Sequence, residues 1–369
     1  MRRRRKPKGL NLVMYIIIVL GMILSLIAPR IAPLIEAGYS RSMYKLLIRP
    51  YSLLTGFFPF SLAEFAVLGL ALFGLVKLVQ LVRGLRKSPG ETIKKMPGAL
   101  GVLALALALT YVAFNMLWGL NYSRLSFARI ADLPVQPGTV AELKELALAL
   151  TENANTLRQQ VAEDSRGVMA LPQGVWDALA RADKGYEKAA KIYPELGGKY
   201  GRPKGVFLSR YWSYTGVTGM YFPFTAEANV NIDIPHFMLP ATAAHEMAHQ
   251  RGFAREDEAN FLAYLTCSVH PDADFRYSGT VLALLNTMNA LYRADPDAYK
   301  EVRVLYGPGL NRDLQDWSEY WQRYEGPVEK ASNKINDSYL KANRQQDGVR
   351  SYGRMVDLLL AMYRQGKIK

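Results

Sequence analysis

Disulfides are the first thing this chain does without. It has a single cysteine, Cys267, so no internal bridge can form. On a helix that cysteine would share a face with Glu256, but eleven residues set the two ~16 Å apart along the axis, so it is expected to pack rather than to ligate. Histidine is almost as scarce, with four in 369 residues. Acids are nearly missing from one region: residues 1–121 hold three (Glu36, Glu64 and Glu91) against 16 Lys and Arg, whereas residues 122–369 hold 29 against 30. The net charge of +14 therefore belongs to the N-terminal third. The remainder carries no zinc-knuckle spacing, RNA-binding signature or basic helix, and a nucleic-acid partner is not expected. Internal repeats and low-complexity tracts are absent as well.

What that N-terminal third does contain is three apolar runs, over about residues 10–28, 61–82 and 97–120. Each supplies the ~20 residues that a helix needs, at 1.5 Å per residue, to cross ~30 Å of hydrocarbon. Glu64 and Lys77 interrupt the second run; Lys77 is near enough to the Arg83 end to snorkel, and Glu64 sits close to the opposite interface. The first run follows "MRRRRKPK" and resembles a signal peptide. Its apolar core is longer than a signal needs, and Pro29 follows the best small residue, so an uncleaved anchor is expected. Six cations precede it, and five lie in "RGLRKSPGETIKK" between the second and third runs. The positive-inside bias then predicts a cytoplasmic N terminus and an extracytoplasmic domain after Trp118.

Beyond the membrane region, "NYSRLSFARIADLPVQPGT" reads as a linker. Helical spacing follows in "VAELKELALALTENANTLRQQVAED" and in "GVWDALARADKGYEKAAKIY". Between Lys204 and Pro235 the period changes, so that "KGVFLSR", "GMYFPF" and "EANVNIDIP" read as strands. In the last of these Ala228, Val230, Ile232 and Ile234 point one way, and Asn229, Asn231 and Asp233 the other. After Pro240 the pattern is helical again. A small sheet followed by a long helical region predicts an α+β fold, mostly helical.

The stretch "AHEMAHQRGFAREDEAN" (244–260) contains HExxH. His245 and His249 are one helical turn apart and can reach one tetrahedral zinc ion. Glu246, about 100° around the helix, is placed to take a proton from a water at the metal. Three residues after His249, Gly252 supplies a left-handed exit that can turn the next helix back toward the histidines. The plan resembles that of the zincins. Residue 255 is Arg, so the metzincin histidine is missing, and E-x-x-A-N from Glu256 is similar to the third-ligand helix of gluzincin-type peptidases. That resemblance implies zinc binding by Glu256, with the small residue and Asn260 against the active helix. Glu258 and Asp257 remain rivals, because the connection is shorter than is usual in those peptidases. The zincin resemblance also implies that "EANVNIDIP" is an edge strand lining a substrate cleft. His236 and His270 have no partner at ligand spacing and are expected at the surface or in caps. Tyr352 and Arg350 are candidates for stabilising an oxyanion across the cleft.

Four segments, "YSRSMYKLLIRPYSLLTGFFPFSLAEF", "WGLNYSR", "HEMAHQRGFAREDEANFLAYL" and "NDSYLKANRQQDGVRSYGRMVDLLLA", resemble the bacterial membrane family catalogued as domain of unknown function 3810. The resemblance implies a membrane-tethered, zincin-like protein. The expectation is three transmembrane helices within residues 1–121 and an extracytoplasmic zincin-like domain over 122–369, in a bacterial cell membrane. Its expected activity is zinc-dependent hydrolysis of peptide bonds in envelope or exported polypeptides, with the lipid bilayer and a peptide or protein substrate as partners. Two rivals stand beside it: a zinc-dependent receptor that binds peptides without cutting, against which Glu246 argues, and a zinc hydrolase of cell-wall amide bonds.

Overall fold

The computed structural model describes residues 8–343, 345 and 354–368. Three helices among them are long and apolar enough to cross a membrane. The first is Lys8–Ile27, the second Leu62–Lys87 and the third Pro89–Leu117. At 26 residues the second reaches about 39 Å, longer than the hydrocarbon layer. Its leucines, valines and Phe73 stand exposed, as side chains that face lipid do. The chain is a membrane protein.

The segment 83–95 was expected to be a loop, yet only Ser88 lies between the two helices. The helices approach closely there, since a Cβ on Gly84 would come within 2.9 Å of Thr92 Oγ1. Pro89 starts the third span at a position where its missing N–H costs no hydrogen bond. The first span lies against the third, with Ser25 Oγ 2.9 Å from the Tyr111 hydroxyl.

The chain between the first and second spans is also helical and ends in Tyr44–Gly56. It folds onto the rest of the protein instead of looping freely. Tyr39 donates to the Met116 carbonyl at 2.9 Å, and Lys45 Nζ donates to the Glu195 carbonyl at 2.6 Å. Glu36 forms a two-pronged ion pair with Arg124, at 2.7 and 2.9 Å, and both side chains are almost wholly buried. The expected linker after the third span is thus overturned: Trp118 and Leu120 through Arg124 are buried. The expected boundary at residue 121 falls inside this packed segment. The Arg124 guanidinium in this segment is held by Glu36, the Gly252 carbonyl and the Phe253 ring.

Glu64 has a role its position in an apolar run did not announce. Ser61 caps the second span by accepting from the Glu64 N–H at 3.0 Å. The Glu64 carboxylate then accepts from the N–H groups of Phe207 and Leu208, at 3.0 and 2.8 Å. Glu227 receives the N–H groups of Leu62 and Ala63 and pairs with Lys204 at 2.6 Å. The second span is therefore tied at its first turn to the sheet.

That sheet has three strands in the order β1-β3-β2. β1 (Lys204–Gly205) runs parallel to β3 (Glu227–Val230), and β2 (Gly219–Phe222) runs antiparallel to it. Of "KGVFLSR" only the first two residues are strand, because Ser209–Ser213 is helical. β3 is the central strand and not an edge, so it has no free side for a substrate. Only Glu227–Val230 of "EANVNIDIP" is strand, with all four residues buried, and Asn229 and Asn231 of the expected polar side do not face solvent. Asn229 donates to the Met220 carbonyl and accepts from Ser61, while Asn231 donates to Ser213 and to the Val217 carbonyl. The edge strands are β1 and β2, and at β2 the Tyr221 backbone N–H bonds to the Glu246 carboxylate.

The remaining helices close the core. Val140–Arg158 packs on Ala273–Ala294, which packs on Glu256–Ser268, which in turn packs on Leu239–Gln250. A Cβ on Gly279 would come within 2.4 Å of Cys267 Cβ, which shows how closely two of these helices approach. Cys267 is a buried packing residue, as expected. Thr139 and Glu142 form a full capping box at the start of Val140–Arg158.

The Glu36–Arg124 pair generates a prediction. Glu36→Ala leaves a buried guanidinium without its counter-charge and should destabilise the protein by about 3–5 kcal/mol. Thermal unfolding in detergent measures this, and an unchanged midpoint would show that the pair contributes nothing.

Candidate metal centre

Leu239–Gln250 carries HExxH through the core, with Ala243, Ala244, Met247 and Ala248 buried around it. The spacing of four puts the rings of His245 and His249 side by side, with centroids 4.7 Å apart. Each ring is held at Nδ1. His245 donates to Asn260 Oδ1 at 2.8 Å, and His249 donates to the Phe253 carbonyl at 2.8 Å. These bonds fix the tautomer that leaves a lone pair on each Nε2.

Gly252 makes the next step possible. It has φ +85°, and a Cβ there would meet Asn121 Oδ1 and Tyr44 Cε1 at 3.0 Å. The helix thus ends in a left-handed residue, and Glu256–Ser268 starts with its first turn beside the histidines. Glu256 Oε2 lies 3.2 Å from His245 Nε2 and 3.5 Å from His249 Nε2.

Among the described residues these three form the cluster of histidine and acid side chains able to hold a metal ion, their donor atoms all within 4.8 Å of one another. Ligands 2.0–2.1 Å from a tetrahedral zinc ion would be separated by roughly 3.3 Å, so the observed spacings fit one. The electrostatics point the same way. Burial alone would raise the Glu256 carboxyl, yet His249 and His245 hold it well below the usual carboxylate range. Burial alone would lower His249, and Glu256 instead pushes it up to about 9. A carboxylate facing two imidazoles is a donor set able to hold a cation.

Glu246 is buried beside this cluster and is not a member of it. Burial pushes its carboxyl above the usual range, opposed by the two histidines and reinforced by Glu256. Its Oε2 has no hydrogen-bond partner among the described residues. Its Oε1 is approached so closely by β2 that a Cβ on Gly219 would come within 2.5 Å of it. Glycine is therefore required at the strand position facing the carboxylate.

The two rival acids point elsewhere. Glu258 accepts from the Phe127 N–H at 2.9 Å and pairs with Arg255 at 3.2 Å. Asp257 faces Arg354, 3.8 Å away. His236 accepts from the Leu171 N–H at 3.2 Å and is half-buried, away from the cluster. His270 is fully buried, stacked on Phe275 and bonded to the Arg181 carbonyl, so the surface alternative is wrong for it. Tyr352 and Arg350 lie outside the described residues.

Two neighbours of the site carry no metal-ligand pattern. Trp118 donates through Nε1 to the His249 carbonyl at 3.2 Å and sets its ring edge-on to that imidazole, centroids 5.8 Å apart. Tyr339 lies close enough to feel the Glu256 charge, and it accepts from the Tyr122 hydroxyl at 3.3 Å. Trp118 sits at the end of an apolar run, where an interfacial anchor is the ordinary reading, so nothing in the sequence signalled its second contact.

The chain belongs to the family described as "Protein of unknown function (DUF3810)", whose model matches residues 39–360. The match takes in the second and third spans together with the whole candidate centre. No curated protein and no solved structure matches the chain.

Gly252→Ala tests whether the left-handed turn builds the centre. The strained backbone should cost about 1–3 kcal/mol, read as a lower thermal midpoint. A midpoint equal to that of the wild-type protein would mean that the turn adapts freely.

Proposed function

We propose that this protein is a membrane-anchored zinc metallopeptidase with a zincin-like domain, in which His245, His249 and Glu256 hold the ion. The observation that carries the reading is the convergence of those three donors beside a buried glutamate with an unpartnered oxygen. A zinc ion held by such ligands supplies a Lewis acid and lowers the pKa of a coordinated water toward neutrality. Asn260 and the Phe253 carbonyl keep both imidazoles turned toward the ion. Glu246, whose basicity is raised by burial, takes a proton from the attacking water and delivers it to the departing amine. The edge strand β2, with Gly219 and the Tyr221 backbone against Glu246, would bring an extended peptide beside that carboxylate.

The choice of peptide hydrolysis over binding alone rests on Glu246. A purely binding site has no use for a buried carboxylate with an unpartnered oxygen next to the metal ligands. The cation-rich N terminus and the five cations of residues 83–95 support a cytoplasmic location for both, with the centre on the extracytoplasmic side.

Metal content and peptide turnover of detergent-purified protein test the reading together. Wild-type protein should carry one zinc per chain, and His245→Ala and Glu256→Ala should lose it while Glu258→Ala keeps it. Glu246→Gln should keep zinc and hydrolyse a randomised peptide mixture about 10²–10⁴-fold more slowly. Folded wild-type protein that takes up no metal from added zinc would end the proposal, and undiminished turnover in Glu246→Gln would remove the base.

A further inference from the structure

The candidate centre and the ends of the membrane spans share side chains. Trp118, which touches His249, directly follows the last helical residue of the third span. One turn earlier, Phe114 sets its ring edge-on to that of Tyr339, centroids 6.5 Å apart. On the other flank, the first turn of the second span is bonded to Glu227 of β3 and to the chain at Phe207 and Leu208. β2, an edge strand, lies between these flanks, its Tyr221 backbone bonded to Glu246 and its Met220 half exposed. Beside the second span, Phe57, Phe65, Phe207 and Tyr211 are all at least half exposed. Solvent-facing aromatic rings at the mouth of a membrane span are the composition of a bilayer interface.

From these contacts we infer that the candidate centre is reached from the bilayer surface and takes polypeptide chains that are themselves anchored in the membrane. It engages them just outside the hydrocarbon. The inference rests on the hydrolase reading for what happens to the bound chain, and on the geometry alone for where that chain comes from. An interfacial layer of roughly 6 Å plus the breadth of one or two side chains separates the hydrocarbon edge from the centre. An extended chain rises ~3.3 Å per residue, so about three to six residues span that distance. A freely dissolved peptide must find a centre that faces the membrane, whereas an anchored chain is already confined beside it, at a higher effective concentration. Capture from within the hydrocarbon is disfavoured, because the HExxH helix is enclosed by the alanine- and methionine-lined core and lies in none of the spans.

A photocrosslinking experiment decides the point. Full-length Glu246→Gln, with p-benzoylphenylalanine replacing Met220 or, separately, Tyr211, is reconstituted into phosphatidylethanolamine–phosphatidylglycerol vesicles. The probes are single-span peptides with a randomised segment outside the span, and the same segments without the span. The expected result is adducts with the anchored peptides, mapped to about three to six residues from the span and at least about ten-fold more abundant than those with the free segments. Equal capture of free and anchored segments overturns the inference. So do adducts spread far along the anchored chains, or no adduct from either position in protein whose thermal midpoint is unchanged. Cleavage of the same peptides by the wild-type protein is scored separately. Adducts without cleavage would end the hydrolase reading and leave this inference standing, while cleavage with equal capture would do the reverse.

Discussion

The helix that carries both histidines ends at Gln250, and a helix end leaves carbonyls with no partner along its own axis. Here the membrane region supplies those partners. Trp118 Nε1 donates to the His249 carbonyl, the Tyr44 hydroxyl to that of Gln250, and Arg124 Nη1 to that of Gly252, at 3.2, 3.1 and 3.0 Å. Arg124 contributes most, since its other donors grip Glu36 and its guanidinium lies over the Phe253 ring, 4.0 Å from the centroid. A buried cation at a helix C terminus also meets the negative end of the helix dipole. Gly252 is then free to use its left-handed backbone for the turn, because the groups around it donate to the carbonyls that such a turn leaves outward.

The elements that were legible in the sequence are those governed by local pattern. Apolar runs of about twenty residues are enough to pick out the three candidate membrane helices. HExxH followed by a glycine is enough to identify a helix, a turn and a second helix, because spacing and φ preference are properties of neighbouring residues. Glu256 was nominated through a resemblance, and the structure brings it to the histidines where Glu258 and Asp257 are turned away. What could not be read locally was the identity of the far partner. The alternation in "EANVNIDIP" was legible, yet Asn229 and Asn231 meet Ser61 and Ser213 instead of water. Glu64 looked like a carboxylate at a membrane boundary, and its partners are two backbone N–H groups more than 140 residues away. The exit from the third span is rich in turn formers, and within it Arg124 is buried against Glu36, the Gly252 carbonyl and the Phe253 ring.

These errors have one cause, the burial of polar groups at the junction between the spans and the rest of the chain. A tether would need no such burial, since a flexible exit can leave its polar groups in water. Burying Glu36, Arg124, Glu64, Lys204 and Glu227 carries a desolvation cost, and each is matched by a specific partner within hydrogen-bonding distance. Matched charges of this kind gain most from a fixed geometry, because loosening either partner exposes the full cost of the other. The ends of the spans and the turn after the HExxH helix are therefore held in one arrangement. Both Nε2 atoms and Glu256 Oε2 hang from the two helices joined by that turn, so the spacing of the donor set is inherited from the membrane junction as much as from the motif.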